Sequence, residues 1–266
     1  MSLTLRLITL FIIFCFVFSS CSTPSSQQSE TSDASLDDSE MSAVISTSPS
    51  LECEDMGQEY IDSFVFLGES TTTHLKSRGV LSGGTKTAQV WSTKSGTLML
   101  SRDTAECRIV YPETGEELDL FEAMHRKKPK YMLLTFGLNG ATGIIARGEE
   151  YFASCYEKLV DTLLYASPET VIILQSCFPI ASNMDMSNYS VDAKTLNGYI
   201  DLINTWARSF AEAHSLGYLN SSEVLKGADG FLLSEYQVGD GYHLTKSAYI
   251  KILKYIRTHS YLVKEA

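Results

Sequence analysis

Three short apolar runs, Phe64–Leu67, Tyr131–Phe136 and Val171–Leu174, are separated by stretches whose apolar residues recur at helical spacing. This alternation constrains the fold more than any other feature, because strands interleaved with helices predict a parallel sheet covered on both faces. Ile61–Leu67 reads as a buried first strand. Val90–Trp91 and Thr97–Leu100 read as short strands around Gly96, and Glu106–Tyr111 as a further strand closed by the turn Pro112–Gly115. Asp119–Lys128 is expected to be a short helix ending before Pro129, with Tyr131–Phe136 as a central strand. Glu149–Tyr165 carries Tyr151, Phe152, Cys155, Leu159, Leu163 and Leu164 at helical period. Val171–Leu174 is the fourth buried strand, Ala193–Ser215 a long amphipathic helix stopped by Gly217, Tyr218–Leu219 a weak fifth strand and Leu244–Tyr261 the closing helix.

Three motifs fall at the ends of these elements. Gly68-Glu69-Ser70 closes the first run, Gly137-Leu138-Asn139 closes the second, and Asp240-Gly241-Tyr242-His243 precedes the last helix. Taken singly, each is more often an ordinary turn or loop. Together they supply a nucleophile, an amide donor and an acid-supported base at the edge where ligands of a parallel sheet bind. Ser70 hydroxyl chemistry needs an adjacent base, which His243 supplies; Asp240 can fix the His243 tautomer and stabilise its imidazolium. Thr71-Thr72-Thr73 after the serine are helix-starting residues, so the Ser70 N–H is expected at a helix N-terminus, facing an oxyanion.

The three motifs, in this order, resemble those of the SGNH (GDSL-type) hydrolases over roughly residues 60–262. The resemblance implies a three-layer α/β/α sandwich of flavodoxin-like type, with Ser70, Asp240 and His243 catalytic. It implies an oxyanion hole of the Ser70 N–H, the Asn139 side chain and a glycine N–H after the second strand. Gly96 is the candidate for that glycine, with Gly83-Gly84 read as a loop hinge. Glu69 departs from the family's usual Asp, keeping the carboxylate on a longer arm. The Gly-x-Ser-x-Gly elbow of another hydrolase fold is absent, since Thr72 stands at its second glycine. Gln175 and Ser176 leave the fourth strand at the same edge and are candidates for the substrate site, an ordinary loop being the alternative. His74, one turn after Ser70, reads as a partly solvated helix residue, with an approach to the pocket as the alternative. Trp91, Tyr236 and Tyr242 are candidates for stacking on a sugar ring, against the plainer role of packing. His125 reads as a solvated helix end, and His214 and His259 have no evident partner.

Arg6 and the apolar run Leu7–Phe18 have the size of a signal-peptide core, too short to span a bilayer comfortably. Phe18-Ser19-Ser20-Cys21 resembles a bacterial lipobox, which would put lipid on Cys21 and anchor an exported protein to the outer face of the cell membrane. An ordinary secretory peptide and an uncleaved anchor are the alternatives. Residues 22–57 are rich in Ser and Thr, hold eight acids, no Lys or Arg and almost no aromatics, the composition of a disordered tether. They account for most of the net charge of −11, so the acidity describes mainly the tether and not the domain expected over 58–266. No basic patch points to nucleic acid, and no spacing suggests a metal site or a cofactor. Cys155 and Cys177 fall in apolar patterns and read as buried free thiols; pairing among Cys53, Cys107, Cys155 and Cys177 is not legible.

The function expected from these features is a serine esterase that removes small acyl groups, acetyl foremost, from cell-envelope or extracellular glycans. An acyltransferase to sugar hydroxyls, a lipase or thioesterase, and a non-catalytic glycan-binding protein are the competing expectations. The connections Ala181–Asn188 and Glu235–Gly241 are short and largely polar, which favours a short acyl group on a hydroxyl-rich alcohol.

Overall fold

The computed structural model describes residues 52–261. The signal sequence, Cys21 and most of the expected tether lie outside the described residues. Seven helices are described: α1 (Gly57–Asp62), α2 (Ser70–Ser77), α3 (Leu120–Lys127), α4 (Ala141–Arg147), α5 (Glu149–Ala166), α6 (Ala193–Ala213) and α7 (Lys246–Thr258). The strands are β1 (Phe64–Gly68), β2 (Val90–Trp91), β3 (Arg108–Val110), β4 (Glu117–Asp119), β5 (Tyr131–Thr135), β6 (Val171–Gln175) and β7 (Gly217–Leu219).

Five strands form one parallel sheet in the order β2-β1-β5-β6-β7. Numbered within the sheet this is 2-1-3-4-5, the doubly wound order of flavodoxin-like folds, whose switch point lies between β1 and its neighbour β5. Strand side chains alternate between faces, and the core divides accordingly. Phe64, Phe66, Leu133 and Ile173 pack with residues of α1, α2 and α7, whereas Val65, Leu67, Met132, Leu134 and Ile172 pack with α3 through α6. The expected three-layer α/β/α architecture is therefore present. Helix starts follow local chemistry: Asp119, Asp192 and Thr245 each accept an N–H of the first turn of α3, α6 and α7.

The expected elements differ from the observed ones at several places, and β4 and α4 have no counterpart among the expected ones. Ile61, assigned to the first strand, lies in the last turn of α1, where it is buried with Tyr60 against α7 residues. Thr97–Leu100 forms no strand. Its carbonyls are met by side chains instead: Asn139 Nδ2 donates to Leu98 O, Thr93 Oγ1 to Thr97 O and Thr104 Oγ1 to Met99 O. The Glu106–Tyr111 strand is shorter and joins β4 in a separate antiparallel pair outside the main sheet. At the start of the domain, residues 53–57 lie against the end of α7: Cys53 and Met56 N–H groups donate to Thr258 and Arg257 carbonyls, and Asp55 pairs with Arg257 at 2.8 Å. Among the described residues the four cysteines are free, with Cys155 and Cys177 buried as expected, and no helix is long and apolar enough to cross a membrane.

Candidate active site

The switch point brings the first two motifs together. β1 ends at Gly68 beside Thr135, the end of β5. A Cβ on Gly68 would stand 2.4 Å from Thr135 O and from Thr72 Oγ1, so only glycine lets β1, β5 and α2 approach this closely. Gly137 has φ of 135°, and a Cβ there would meet Ile203 Cγ2 at 2.6 Å and Cys177 Sγ at 2.8 Å. The two glycines therefore serve close packing at the strand ends.

Ser70 is the first residue of α2. The Thr72 and Thr73 N–H groups donate to Glu69 O, while that of Ser70 has no protein acceptor among the described residues. First-turn N–H groups have no partner within their own helix, which leaves this one available to an anion. The Ser70 hydroxyl lies 3.1 Å from His243 Nε2, and His243 Nδ1 lies 2.7 Å from Asp240 Oδ2. Asp240 Oδ1 accepts the N–H groups of His243 at 2.9 Å and Tyr242 at 3.1 Å. Burial opposes its ionisation, but these two N–H groups and the His243 ring hold its carboxyl below the usual range. Ser70, His243 and Asp240 thus form a hydrogen-bonded triad from the end of β1 and the loop before α7. The loop is seated by Ala181, whose N–H donates to Gly241 O at 2.7 Å.

Glu69 has a role that the sequence left open. Its carboxylate is buried, and Oε1 accepts the N–H groups of Gly137 at 2.8 Å and Asn139 at 3.0 Å. Burial pushes its pKa up to about 7 against the pull of these N–H groups. Glu69 thus clasps the Ser70 loop to the Asn139 loop. The Asn139 side chain donates to Thr97 Oγ1 at 3.0 Å and Leu98 O at 3.1 Å, so both its hydrogens are engaged by the protein. Donation to any other acceptor would have to replace one of these bonds.

Other candidates fall elsewhere. Gly96 sits beside α2, with a Cβ there 3.9 Å from Thr73 Cγ2, but its N–H is already donated to Thr93 O at 3.0 Å in a tight turn. Gln175 and Ser176 do not line a substrate site; both are buried and satisfied. Gln175 Oε1 accepts from Thr135 and its Nε2 donates to Ser221, while Ser176 Oγ accepts the Ser222 N–H. They brace the strand ends. Trp91 is fully buried, and Tyr236 lies under Lys251, whereas Tyr242 packs its ring 4.0 Å from that of His243. His74 follows the second of its two readings, an approach to the pocket: its ring lies 4.5 Å from that of His243. Its spacing from Ser70, one helical turn, was the available clue. His125, His214 and His259 stack on Phe121, Phe210 and Tyr255. Among the described residues no group of His, Cys, Asp and Glu is arranged to hold a metal ion.

No family model matches the chain, and none of the curated proteins does. Solved structures similar to it include a GDSL-like lipase from Bacteroides thetaiotaomicron, 17% identical, with a TM-score of 0.46 over 76% of this chain and 89% of that one. Another is the periplasmic domain of a lipopolysaccharide acetyltransferase from Salmonella ser. Paratyphi A, 15% identical, with a TM-score of 0.48 over 77% and 84%. An acetyl esterase mutant with acetate ion is 13% identical, with a TM-score of 0.45 over 73% and 93%. Likenesses of this size transfer neither activity nor substrate.

Proposed function

We propose that the protein is a serine ester hydrolase. The observation that carries this is the continuous chain from the Ser70 hydroxyl through His243 to Asp240, at 3.1 and 2.7 Å, beside a helix-start N–H with no protein acceptor. His243 Nε2 takes the hydroxyl proton as Ser70 Oγ attacks the ester carbonyl. The oxyanion so formed faces the Ser70 N–H, with an Asn139 hydrogen as second donor. Asp240 holds Nδ1–H and stabilises the imidazolium, which returns its proton to the leaving alcohol. Water, deprotonated by the same imidazole, then attacks the acyl-serine carbonyl; the C–Oγ bond breaks, the imidazolium returns its proton to Ser70 Oγ, and the carboxylic acid is released.

The substrate favoured here is a short acyl ester, acetyl foremost, of a sugar hydroxyl. The leaving alcohol departs on the His243 side, where the Tyr242 ring packs against the base. Aromatic faces at that position suit the apolar face of a sugar ring. Export and lipid attachment at Cys21 belong to the same proposal and would keep the enzyme at the envelope; a Cys21→Ser precursor that still takes up a fatty-acid label would refute the attachment. The decisive test is fluorophosphonate labelling with mass mapping, run beside nitrophenyl acetate turnover. Labelling confined to Ser70, with turnover lost in Ser70→Ala, is expected; a labelled residue other than Ser70 would sink the mechanism.

A further inference from the structure

The catalytic imidazole is held between two rings. Tyr242 lies 4.0 Å from it at an interplanar angle of 40°, and His74 lies 4.5 Å from it at 48°. Tyr242 adjoins His243 in the chain and moves with it. His74 instead belongs to α2, four residues after Ser70, so it stands one turn from the nucleophile on the same side of the helix. The start of α2 is itself fixed, since Tyr249 Oη donates to Thr71 O at 2.6 Å from α7. His74 therefore ties the position of the base to the backbone that carries the nucleophile.

We propose that His74 is a positioning residue for the base, its ring resting on the His243 imidazole and keeping Nε2 directed at Ser70. This rests on the esterase reading only for its effect on turnover. The ring is bonded to Asp240 at Nδ1 and to Ser70 at Nε2. Once the Ser70 hydroxyl is consumed by acylation only the Asp240 bond holds the ring, and a face packed against it limits its swing about that contact. Misplacement of a reacting group by about 1 Å costs on the order of 10²-fold in rate.

The role demands a neutral His74. Burial lowers its pKa, the charges of His243 and Arg78 lower it further, and only Asp240 opposes them. Its Nδ1 is buried with no partner among the described residues, so a protonated ring would carry an unmatched N–H there. It would also place a second positive charge against the imidazolium that forms on His243 in each turnover. What the base requires of residue 74 is thus a flat uncharged face, which phenylalanine also provides.

The test compares His74→Ala and His74→Phe with the wild type, using nitrophenyl acetate kinetics and proton NMR of the low-field His243 Nδ1–H. His74→Ala is expected to lower kcat by about 10–100-fold with KM changed less than about twofold, and to speed solvent exchange of that proton. His74→Phe is expected to restore both. If His74→Ala does not fold, His74→Leu, which fills the space without a flat face, takes its place. Wild-type kcat and wild-type proton protection in the variant without a flat face would overturn the proposal. So would a folded His74→Phe as impaired as His74→Ala. A wild type that turns over no ester would end the esterase reading, and the NMR comparison would still decide the role of His74.

Discussion

Glu69 Oε1 accepts the backbone N–H of Asn139 at 3.0 Å, so the residue before Ser70 holds the loop that carries the Asn139 side chain. The same oxygen takes the Gly137 N–H at 2.8 Å. Two motifs about seventy residues apart in sequence are thereby joined under the site by one buried carboxyl group.

That carboxyl group gives stability a pH dependence with a definite sign. Its folded pKa, about 7, exceeds the ordinary value of 4.5, so the folded state holds the extra proton between these limits. Its contribution is greatest below pH 4.5 and is lost as pH rises through about 7. Glu69→Gln cannot titrate. The stability of the wild type relative to Glu69→Gln should therefore fall between pH 4.5 and 7, by at most about 3 kcal/mol. Urea unfolding of both proteins across that range measures it; a constant or widening advantage for the wild type would contradict the burial effect.

Ser70→Ala and His243→Ala should each lower kcat/KM for nitrophenyl acetate by at least about 10³-fold. Neither side chain is in the core, so the melting temperature should move little. A folded Ser70→Ala enzyme with near wild-type turnover would rule out Ser70 as nucleophile.

Asn139→Ala has two separable consequences. Loss of the bonds to Thr97 and Leu98 should cost about 1 kcal/mol of stability. Loss of an oxyanion donor should lower kcat by about 10²–10³-fold. Lower stability with unchanged kcat would leave Asn139 as a brace for the 97–98 segment alone.

Substrate preference should separate the two sides of the ester. With nitrophenyl esters, kcat/KM should fall as the acyl chain lengthens from two carbons; a maximum at eight or more would favour a lipase or thioesterase. Tyr242→Ala should raise KM for an acetylated sugar more than for nitrophenyl acetate. Equal effects on both would show that Tyr242 serves His243 and not the alcohol.

Short apolar runs with their turn signals located the five strands of the main sheet, and helical periodicity located α5 and α6, because burial on one or both faces imposes a pattern that local residues carry themselves; α1 and α4 carried no such signal. The three motifs were legible for a related reason. Gly68 and Gly137 stand where strand ends meet other elements, and Asp240 and His243 are three residues apart, close enough to pair within one loop. What polar groups do depends on partners that sequence spacing does not reveal. Thr97–Leu100 has a strand's composition, yet its carbonyls are taken by Asn139, Thr93 and Thr104 side chains. Gln175 and Ser176 leave the right strand end, yet Thr135, Ser221 and Ser222 claim them. Gly96 lies beside the nucleophile helix, yet its own turn uses its N–H. Glu69 and His74 acquire their places only when β5 and the loop before α7 fold against β1 and α2. Sequence by itself determined the elements and the chemical groups delivered to one sheet edge; tertiary structure decided which of those groups remained free to react, since a hydrogen bond is assigned by proximity in space.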